Sequence, residues 1–305
     1  MATILSRRRG AGRGAAAAAA QSGHTIDARQ AHVTAENGHA AGPQRGRTTK
    51  VAEHAEYDTI GDRYSEAKTA PWRIHLEAYT LEHLAGDLSG ARVLDLACGD
   101  GFYSRRLMRL GAAQTLGVDA SVEMIALGQR AEQAVARGCR YLHADVMDLG
   151  VVGQYDVVVA AFLLNYARSR AELRRFAEAM YANLRPGGRL VGVNDYTDDR
   201  QTGTRHFERH GFRKSGPARY VEGEPITYEF LLPKGRSFAI TNFYWRPSTY
   251  LEVLAEAGFD QPQWHPFVLS PEGLGSLPSD AWEELLRAPQ QMSALTARRS
   301  PASGV

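Results

Sequence analysis

Cysteine is nearly absent from this sequence, because Cys98 and Cys139 are the only two among 305 residues. Two cysteines are too few for a disulfide framework or for a structural zinc site. The sequence also lacks an apolar run near the roughly 18 residues that a membrane-spanning helix needs. We therefore expect a cytoplasmic protein with no metal centre and no membrane partner.

Large apolar residues are scarce in the first 50 residues, which contain the stretch SRRRGAGRGAAAAAAQSGH. A segment so rich in Ala, Gly and Arg cannot bury a core, and residues 1–50 are predicted to be a disordered tail. A twin-arginine export signal is the alternative, because Arg7 to Arg9 precede the alanine run. That run has no stretch of Leu, Val or Phe.

The part of the chain that can fold has no excess of positive charge. Beyond residue 50, 28 Lys and Arg face 32 Asp and Glu, whereas the first 50 residues carry eight basic and two acidic residues. A nucleic-acid groove requires clustered positive charge, so we expect no nucleic-acid partner. A nucleic-acid enzyme that uses the basic tail as a handle is the alternative.

Strands and helices alternate after Gly90. The predicted strands are Arg92–Ala97, Thr115–Val118, Arg140–Ala144, Asp156–Phe162 and Arg189–Val193, and the predicted helices are Tyr103–Leu110, Val122–Arg137 and Ala171–Leu184. This alternation predicts an α/β fold in which helices cover both faces of a mostly parallel sheet. Ligands of such sheets bind at the carboxyl ends of the strands.

The remaining chain divides into a cap, an insertion and a C-terminal end. Residues 51–90 are predicted to form a helical cap, because apolar residues recur there at helical spacing. Residues 91–280 are assigned to the main domain, with an acceptor-site insertion at about 198–246 that contains a hairpin around Lys234-Gly235. A helix over Ser248–Ala257 and a last strand near Trp264–Leu269 follow, and residues 281–305 are expected to form a C-terminal helix and tail.

The stretch VLDLACGDG (93–101) carries the main functional signal. Its strand ends at Asp95, and the chain then turns through Ala97, Gly99 and Gly101. Glycines in such a turn let a ligand approach the backbone, although an ordinary strand-to-helix turn remains the alternative. A dinucleotide fingerprint needs a third glycine where Ser104 stands. An acid at position 95 suits a cationic ligand without phosphates.

Carboxylates also end the next two strands. Asp119 follows Asp95 by 24 residues and is predicted to bind ribose hydroxyls, unless it only caps the helix that starts at Val122. Asp145 is predicted to accept from an adenine amino group, while the backbone amide of Val146 donates to the ring. Side chains expected to wall that ring are Met124, Met147 and Phe162.

These motifs together resemble those of class I S-adenosylmethionine-dependent methyltransferases. The resembling stretches are VLDLACGDG, GVDAS, ADVMDL, YDVVVAAFLLNY and LRPGGRLV, and the likeness runs from about Tyr57 to Leu269. Ala97 departs from the family, which often has glycine there. The resemblance implies a Rossmann-like fold with a seven-stranded sheet and S-adenosylmethionine as cofactor.

The cap adds a more specific likeness. Arg73 precedes Asp95 by 22 residues, as does the arginine that pairs with the cofactor carboxylate in glycine N-methyltransferase-like enzymes. The resemblance thus implies that Arg73 holds the methionine carboxylate and that Tyr57 or Tyr64 closes above the sulfonium. A solvated helix residue is the alternative for Arg73. The implied cofactor residues are Tyr64, Arg73, Asp95, Ala97, Gly99, Gly101, Phe102, Asp119, Ala120, Met124, Asp145, Val146 and Phe162.

The methyl acceptor is expected at the ends of the fourth and fifth strands. Asn165 and Tyr166 are candidates for orienting it, and Asp195 is the candidate general base. Asp195 could instead cap a turn, and Asn165 could cap the following helix. The chain resembles small-molecule methyltransferases of the toxoflavin-pathway N-methyltransferase type.

That resemblance implies methylation of nitrogen or oxygen on a small aromatic or heterocyclic metabolite of secondary metabolism, by a monomer or homodimer. The alternative is a non-catalytic module that binds S-adenosylmethionine or S-adenosylhomocysteine for regulation.

Overall fold

The computed structural model describes residues 47–197, 205–287 and 292–302. Most of the predicted disordered tail therefore lies outside the described residues. Residues 47–50 are described, and they correct the boundary of that tail, because helix α1 (Arg47–Ala67) already begins there. In the described parts of the chain, no helix is long and apolar enough to cross a membrane.

The described residues form two β-sheets. The strands are β1 (Arg92–Leu96), β2 (Gln114–Asp119), β3 (Cys139–His143), β4 (Tyr155–Ala161), β5 (Leu184–Asp195), β6 (Arg205–Phe207), β7 (Phe212–Ser215), β8 (Pro225–Leu232), β9 (Arg236–Phe243), β10 (Asp260–His265) and β11 (Met292–Arg298). Seven of them form the central sheet in the order β10-β11-β5-β4-β1-β2-β3. The predicted mostly parallel, seven-stranded fold is confirmed.

Strand β1 lies at the point where the strand order reverses. It pairs in parallel with β2 on one side and with β4 on the other. After β1 and after β4 the chain therefore continues in opposite directions across the sheet, which opens a crevice at the carboxyl ends of these two strands. The predicted site residues that follow β1, β2 and β4 are thereby brought to one edge.

Helices cover the sheet. They are α2 (Tyr79–Ala85), α3 (Phe102–Arg109), α4 (Val122–Ala134), α5 (Arg170–Asn183), α6 (Pro247–Glu256) and α7 (Ser279–Leu286), in addition to α1. A π-helical segment, Arg73–Ala78, directly precedes α2. Strand β4 shows how the sheet is buried between its two layers: Val157 and Val159 belong to one apolar core, and Val158 and Ala160 to the other. Alternate side chains of a strand point to opposite faces, so this apolar run is buried on both sides.

The predicted hairpin is present and belongs to a larger unit. Strands β8 and β9 pair in antiparallel fashion around Lys234 and Gly235, whose φ angles are 63° and 68°. Two successive positive φ angles are typical of the tight turns that join hairpin strands. The expected two-stranded ribbon is in fact part of a four-stranded sheet, β6-β7-β8-β9. Strands β6 and β7 are only three and four residues long and largely polar, so their pattern gave no signal.

The expectation of a C-terminal helix and tail over 281–305 was only partly right. Helix α7 (Ser279–Leu286) overlaps the beginning of this range, but residues 292–298 form β11 instead of a tail. This strand lies between β5 and β10 and is antiparallel to both. Its sequence, MSALTAR, contains small residues that dilute the apolar pattern. The strand expected near Trp264–Leu269 is β10, which begins four residues earlier.

We predict that β11 contributes to stability as a core strand. Leu295 is 0% exposed, so Leu295→Ala should lower the free energy of unfolding by about 2–5 kcal/mol. Arg298→Ala, at the exposed end of the same strand, should change it by no more than about 0.5 kcal/mol. Denaturant unfolding monitored by circular dichroism measures both. Equal, small losses would show that β11 does not pack as described.

Candidate active site

Left-handed backbone marks the strand ends at the crevice. Ala97 and Phe162 follow β1 and β4, and their φ angles are 57° and 64°. This conformation costs a residue with a side chain about 1–2 kcal/mol. Strained residues of this kind cluster at functional sites. Glycine would adopt the conformation of Ala97 without this cost.

The two glycines of the first turn have different physical roles. Both have positive φ angles, 56° at Gly99 and 76° at Gly101. A Cβ on Gly101 would lie 2.1 Å from the hydroxyl of Tyr141, so packing against that ring requires glycine. A Cβ on Gly99 would meet only the Tyr64 ring, at 3.8 Å. Of the two predicted cofactor glycines, Gly99 thus faces the more open space.

Asp119 joins the turns that follow β1 and β2. One carboxylate oxygen accepts a hydrogen bond from the backbone amide of Gly99 at 2.8 Å, and the other accepts from the amide of Ser121 at 2.9 Å. The cap of α4 is Ser121, whose hydroxyl accepts from the amide of Met124. The alternative in which Asp119 caps α4 is therefore wrong. Asp119 and the neighbouring Ala120 are partly exposed.

Asp95 lies beneath this turn and is 0% exposed. One oxygen accepts from the hydroxyl of Ser104 at 2.6 Å, and the other is buried without a hydrogen-bond partner among the described residues. Burial raises the pKa of Asp95 to about 7, although the Ser104 hydrogen bond and the charge of Lys68 act in the opposite direction. A cation that approached this carboxylate would favour its ionised form.

The remaining predicted cofactor residues border the same edge. Asp145 follows β3, is half-buried and accepts from the amide of Met147 at 2.8 Å, which caps a short 3₁₀ turn. Val146 and Met124 are buried, at 5% and 1% exposure. Phe102 is half-buried at the start of α3.

The cap brings two tyrosines, Tyr57 and Tyr64, next to Tyr166, which follows β4. The hydroxyls of Tyr57 and Tyr166 are hydrogen-bonded to each other, and the ring of Tyr57 meets that of Tyr64 edge to face, with centroids 5.4 Å apart. Arg73 is 3% exposed, and its Nη1 bonds the carboxylate of Glu77 at 3.0 Å. The alternative of a solvated Arg73 is therefore wrong.

A pocket of about 400 Å³, including the part open to solvent, lies beside the ends of β4 and β5. Its apolar wall consists of Trp72, Phe212, Phe230, Ile240 and Met292. The predicted residues that line it are Tyr64, Arg73, Phe162, Asn165, Tyr166 and Asp195. One cavity therefore contains members of both predicted sets, those for the cofactor and those for the acceptor.

Asn165 has no structural partner in this pocket. It is 0% exposed, and neither its amide nitrogen nor its oxygen has a hydrogen-bond partner among the described residues. The helix that follows is capped by Ser169, whose hydroxyl accepts from the amide of Glu172. The alternative in which Asn165 caps this helix is therefore wrong.

Asp195 is held by several donors. Its oxygens accept from the backbone amide of Thr197 at 2.7 Å, from the Thr197 hydroxyl and from the Tyr228 hydroxyl. The ammonium of Lys214 lies 2.8 Å away, and both charged side chains are almost fully buried. Asp195 thus caps a turn, which was the alternative to its predicted role as general base. No sequence pattern indicated Lys214 or the hydrogen bond from Tyr228 to Asp195, because both residues lie in a different sheet from Asp195.

Comparison with known proteins agrees with this fold. Residues 93–188 match a family model described as a methyltransferase domain. This range contains β1 to β4, the turns after them and the start of β5. The chain is a class I S-adenosylmethionine-dependent methyltransferase.

The methyltransferase also has relatives of known name and structure. It is 26% identical over 234 residues to the ubiquinone/menaquinone biosynthesis C-methyltransferase UbiE of Pseudomonas putida, covering 73% of this chain and 86% of that protein. A crystal structure of an S-adenosylmethionine-dependent methyltransferase from Mesorhizobium loti matches with a TM-score of 0.55 and 24% identity, covering 76% of this chain and all of that one. A DhpI complex with S-adenosylhomocysteine matches with a TM-score of 0.53 and 22% identity, over 83% and 97% of the two chains.

The buried groups of this methyltransferase fit its cofactor. S-adenosylmethionine carries a cationic sulfonium and an ammonium, a carboxylate and a ribose. Asp95 offers one oxygen to positive charge and Arg73 offers its Nε to negative charge, and neither atom has a hydrogen-bond partner among the described residues. The carboxylate of Asp119 stands at the partly exposed edge of the same turn. These complementary groups would hold the cofactor.

We predict that the buried carboxyl of Asp95 makes the unliganded enzyme less stable as pH rises. Its folded-state pKa, about 7, lies above the ordinary value of 3.8. The folded state therefore binds this proton more tightly, and the resulting stability is lost as pH rises through 7. Between pH 5 and pH 8, the unfolding free energy of wild type should fall by about 2–3 kcal/mol relative to Asp95→Asn. Asp62→Asn, at an exposed position of α1, controls for the substitution itself, and parallel pH profiles for wild type and Asp95→Asn would contradict the prediction.

Proposed function

We propose that this methyltransferase transfers the methyl group to a ring nitrogen of a small, planar heterocycle, as an enzyme of secondary metabolism. The bound cofactor supplies an electrophilic methyl group with a neutral leaving group. Placing the nucleophile in line with that methyl and excluding water then provide much of the catalysis. The residues of the pocket therefore have to orient the acceptor.

We assign the contacts of the cofactor to the residues along the crevice. Asp119 binds the ribose hydroxyls, Asp145 and the amide of Val146 bind the adenine, and Arg73 binds the methionine carboxylate. The turn through Ala97, Gly99 and Gly101, together with Phe102, Ala120, Met124 and Phe162, surrounds the remainder. Tyr64 closes over the sulfonium beside Tyr57. The support is the position of these groups along one sheet edge and the unpartnered buried atoms of Asp95 and Arg73.

The proposed acceptor is inferred from the side-chain amide of Asn165, which has no hydrogen-bond partner among the described residues. A buried polar group without a hydrogen bond costs about 1–3 kcal/mol, so such a group calls for a partner. A carboxamide both donates and accepts in one plane, which matches the edge of a lactam or a similar heterocycle. The apolar wall with Trp72, Phe212 and Phe230 suits the faces of a flat ring.

The ionisable groups of the pocket favour a nitrogen that needs no general base. Asp195 is engaged by four donor groups, and burial together with the Asp195 charge holds the pKa of Tyr228 well above its usual value. The Tyr166 hydroxyl is hydrogen-bonded to the Tyr57 hydroxyl. We therefore assign Asp195 a positioning role instead of the predicted role of general base. A ring nitrogen with an available lone pair can be methylated without proton removal beforehand.

Carbon methylation of a quinone precursor is the second candidate. It is favoured by the similarity to UbiE, whose name specifies a C-methyltransferase of ubiquinone and menaquinone biosynthesis. Oxygen methylation of a phenol is a further possibility within the same pocket. Both reactions generally require a phenol to lose its proton, and so they depend on a base that the described pocket residues do not supply.

A panel of acceptors distinguishes these candidates. Purified enzyme with methyl-labelled S-adenosylmethionine should label lactam-containing nitrogen heterocycles, and should leave phenols and demethylated quinols unlabelled. Mass spectrometry of the products locates the methyl group. Labelling of the quinols alone would support the second candidate and overturn the first.

We predict that Asn165 acts on the acceptor and not on the cofactor. Asn165→Leu should lower kcat/KM for the acceptor by about tenfold to a hundredfold, because the hydrogen bonds to its edge are lost. The affinity for S-adenosylhomocysteine, measured by calorimetry, should stay unchanged.

Asn194→Leu is the matched control. Asn194 is equally buried, its amide has no hydrogen-bond partner in the described parts of the chain, and it does not line the pocket. It should leave the acceptor kinetics close to wild type. Equal losses in the two variants would assign the Asn165 effect to packing and contradict the prediction.

A further inference from the structure

Lys68 is a buried lysine that neither the motifs nor the proposed function use. It follows α1 directly and is 5% exposed. Its ammonium is surrounded by four aromatic rings, with distances to their centroids of 4.9 Å for Tyr103, 5.3 Å for Tyr64, 5.6 Å for Phe162 and 5.7 Å for Phe102. Lysines are almost never fully buried unless they are paired, so this position needs a reason.

The negative charge near Lys68 is shared with a second cation. Glu77 is 0% exposed, and its carboxylate lies 3.6 Å from the Lys68 ammonium and 3.0 Å from Arg73 Nη1. The Tyr103 hydroxyl donates to the same carboxylate. Burial and the Glu77 charge hold the pKa of Tyr103 well above its usual value, so this phenol keeps its proton. Glu77 therefore pairs with two buried cations, Lys68 and Arg73.

Asp95 is the other carboxylate whose charge Lys68 affects, and its pKa of about 7 leaves it only partly ionised at neutral pH. The group of Lys68, Arg73, Glu77 and Asp95 thus carries an excess of positive charge. Buried charge without a counterion is expensive, and a ligand anion would remove that cost. Arg73 also has a buried Nε without a hydrogen-bond partner among the described residues.

The local backbone is unusual where these charges meet. Arg73 and Glu77 both lie in the π-helical segment Arg73–Ala78. Segments of this type are rare and are frequent at functional sites. Tyr64 and Phe162, two of the four rings around Lys68, line the pocket together with Arg73. The excess positive charge therefore borders the cavity.

We propose that Lys68 is a second ligand for the carboxylate of the cofactor's methionine, acting with Arg73, and that it selects cofactors that carry this carboxylate. The proposal rests on the cofactor part of the proposed function. The four rings exclude water and fix the ammonium, which strengthens its interaction with an anion. Glu77 is a positioning residue that holds both cations while leaving positive charge in excess.

The test compares two ligands that differ only in the carboxylate. S-adenosylhomocysteine has it, and its decarboxylated analogue, S-adenosyl-3-thiopropylamine, keeps the amine and lacks it. In Lys68→Met, titration calorimetry should show S-adenosylhomocysteine binding weakened by about tenfold to a hundredfold, the scale of a hydrogen bond to a charged group. Binding of the decarboxylated analogue should change by less than about threefold.

Thermal unfolding without ligand separates this role from a structural one. Because Lys68→Met removes a buried excess charge, the Tm of the unliganded variant should stay constant or rise. Lys68→Gln, which is polar and neutral, should give the same binding pattern. Lys234→Met, at an exposed position of the β8–β9 turn, should leave both affinities and the Tm unchanged.

Equal weakening of both ligands, unchanged binding of S-adenosylhomocysteine, or unfolding of both Lys68 variants without ligand would overturn the proposal. Neither ligand carries a transferable methyl group, so the titrations do not depend on the acceptor. If wild type bound no S-adenosylhomocysteine at all, the cofactor assignment itself would be wrong.

Discussion

The hydrogen bond from the Gly99 amide to the Asp119 carboxylate connects the two turns on which the site depends. It spans 2.8 Å between the loops after β1 and β2 and fixes the left-handed backbone of the first turn against the second. Asp95 lies beneath this turn, and Ala97 and Phe162 flank the crevice in strained conformations. The parallel pairing of β1 with β2 and β4 then determines that all of these residues meet at one edge.

The cavity has two electrostatic regions. Around the proposed methionine position, Lys68 and Arg73 share the carboxylate of Glu77, and the nearby Asp95 is only partly ionised, so positive charge is in excess. Around the proposed acceptor position, Asp195 and Lys214 form a close buried pair and leave no net charge. A zwitterionic amino-acid group suits the first region and a neutral ring suits the second. Buried groups of this kind are restrained by their partners, which keeps both regions organised before a ligand binds.

The fold and the residues that meet at the carboxyl ends of its strands could be predicted from the sequence. Parallel strands bring these ends to one side of the sheet, whatever segments connect the strands. Local pattern therefore located Asp95, Asp119, Asn165 and Asp195 at one edge. It could not show which oxygens are already used: Asp195 is saturated by Tyr228 and Lys214 from the second sheet, and no sequence spacing reveals that contact. The environment of Lys68 was equally hidden, since three of its four rings, those of Phe102, Tyr103 and Phe162, are distant from it in the sequence. Strand β11 was missed because Ser, Ala and Thr do not produce a clear alternation, although pairing on both sides stabilises it.

The most direct measurement of the central claim is a crystal structure of the enzyme with S-adenosylhomocysteine. In that structure we expect the ribose hydroxyls within hydrogen-bond distance of Asp119, the carboxylate beside Arg73 and Lys68, and the sulfur facing the pocket that contains Asn165. A nucleoside bound elsewhere, or with its carboxylate directed away from both cations, would contradict it.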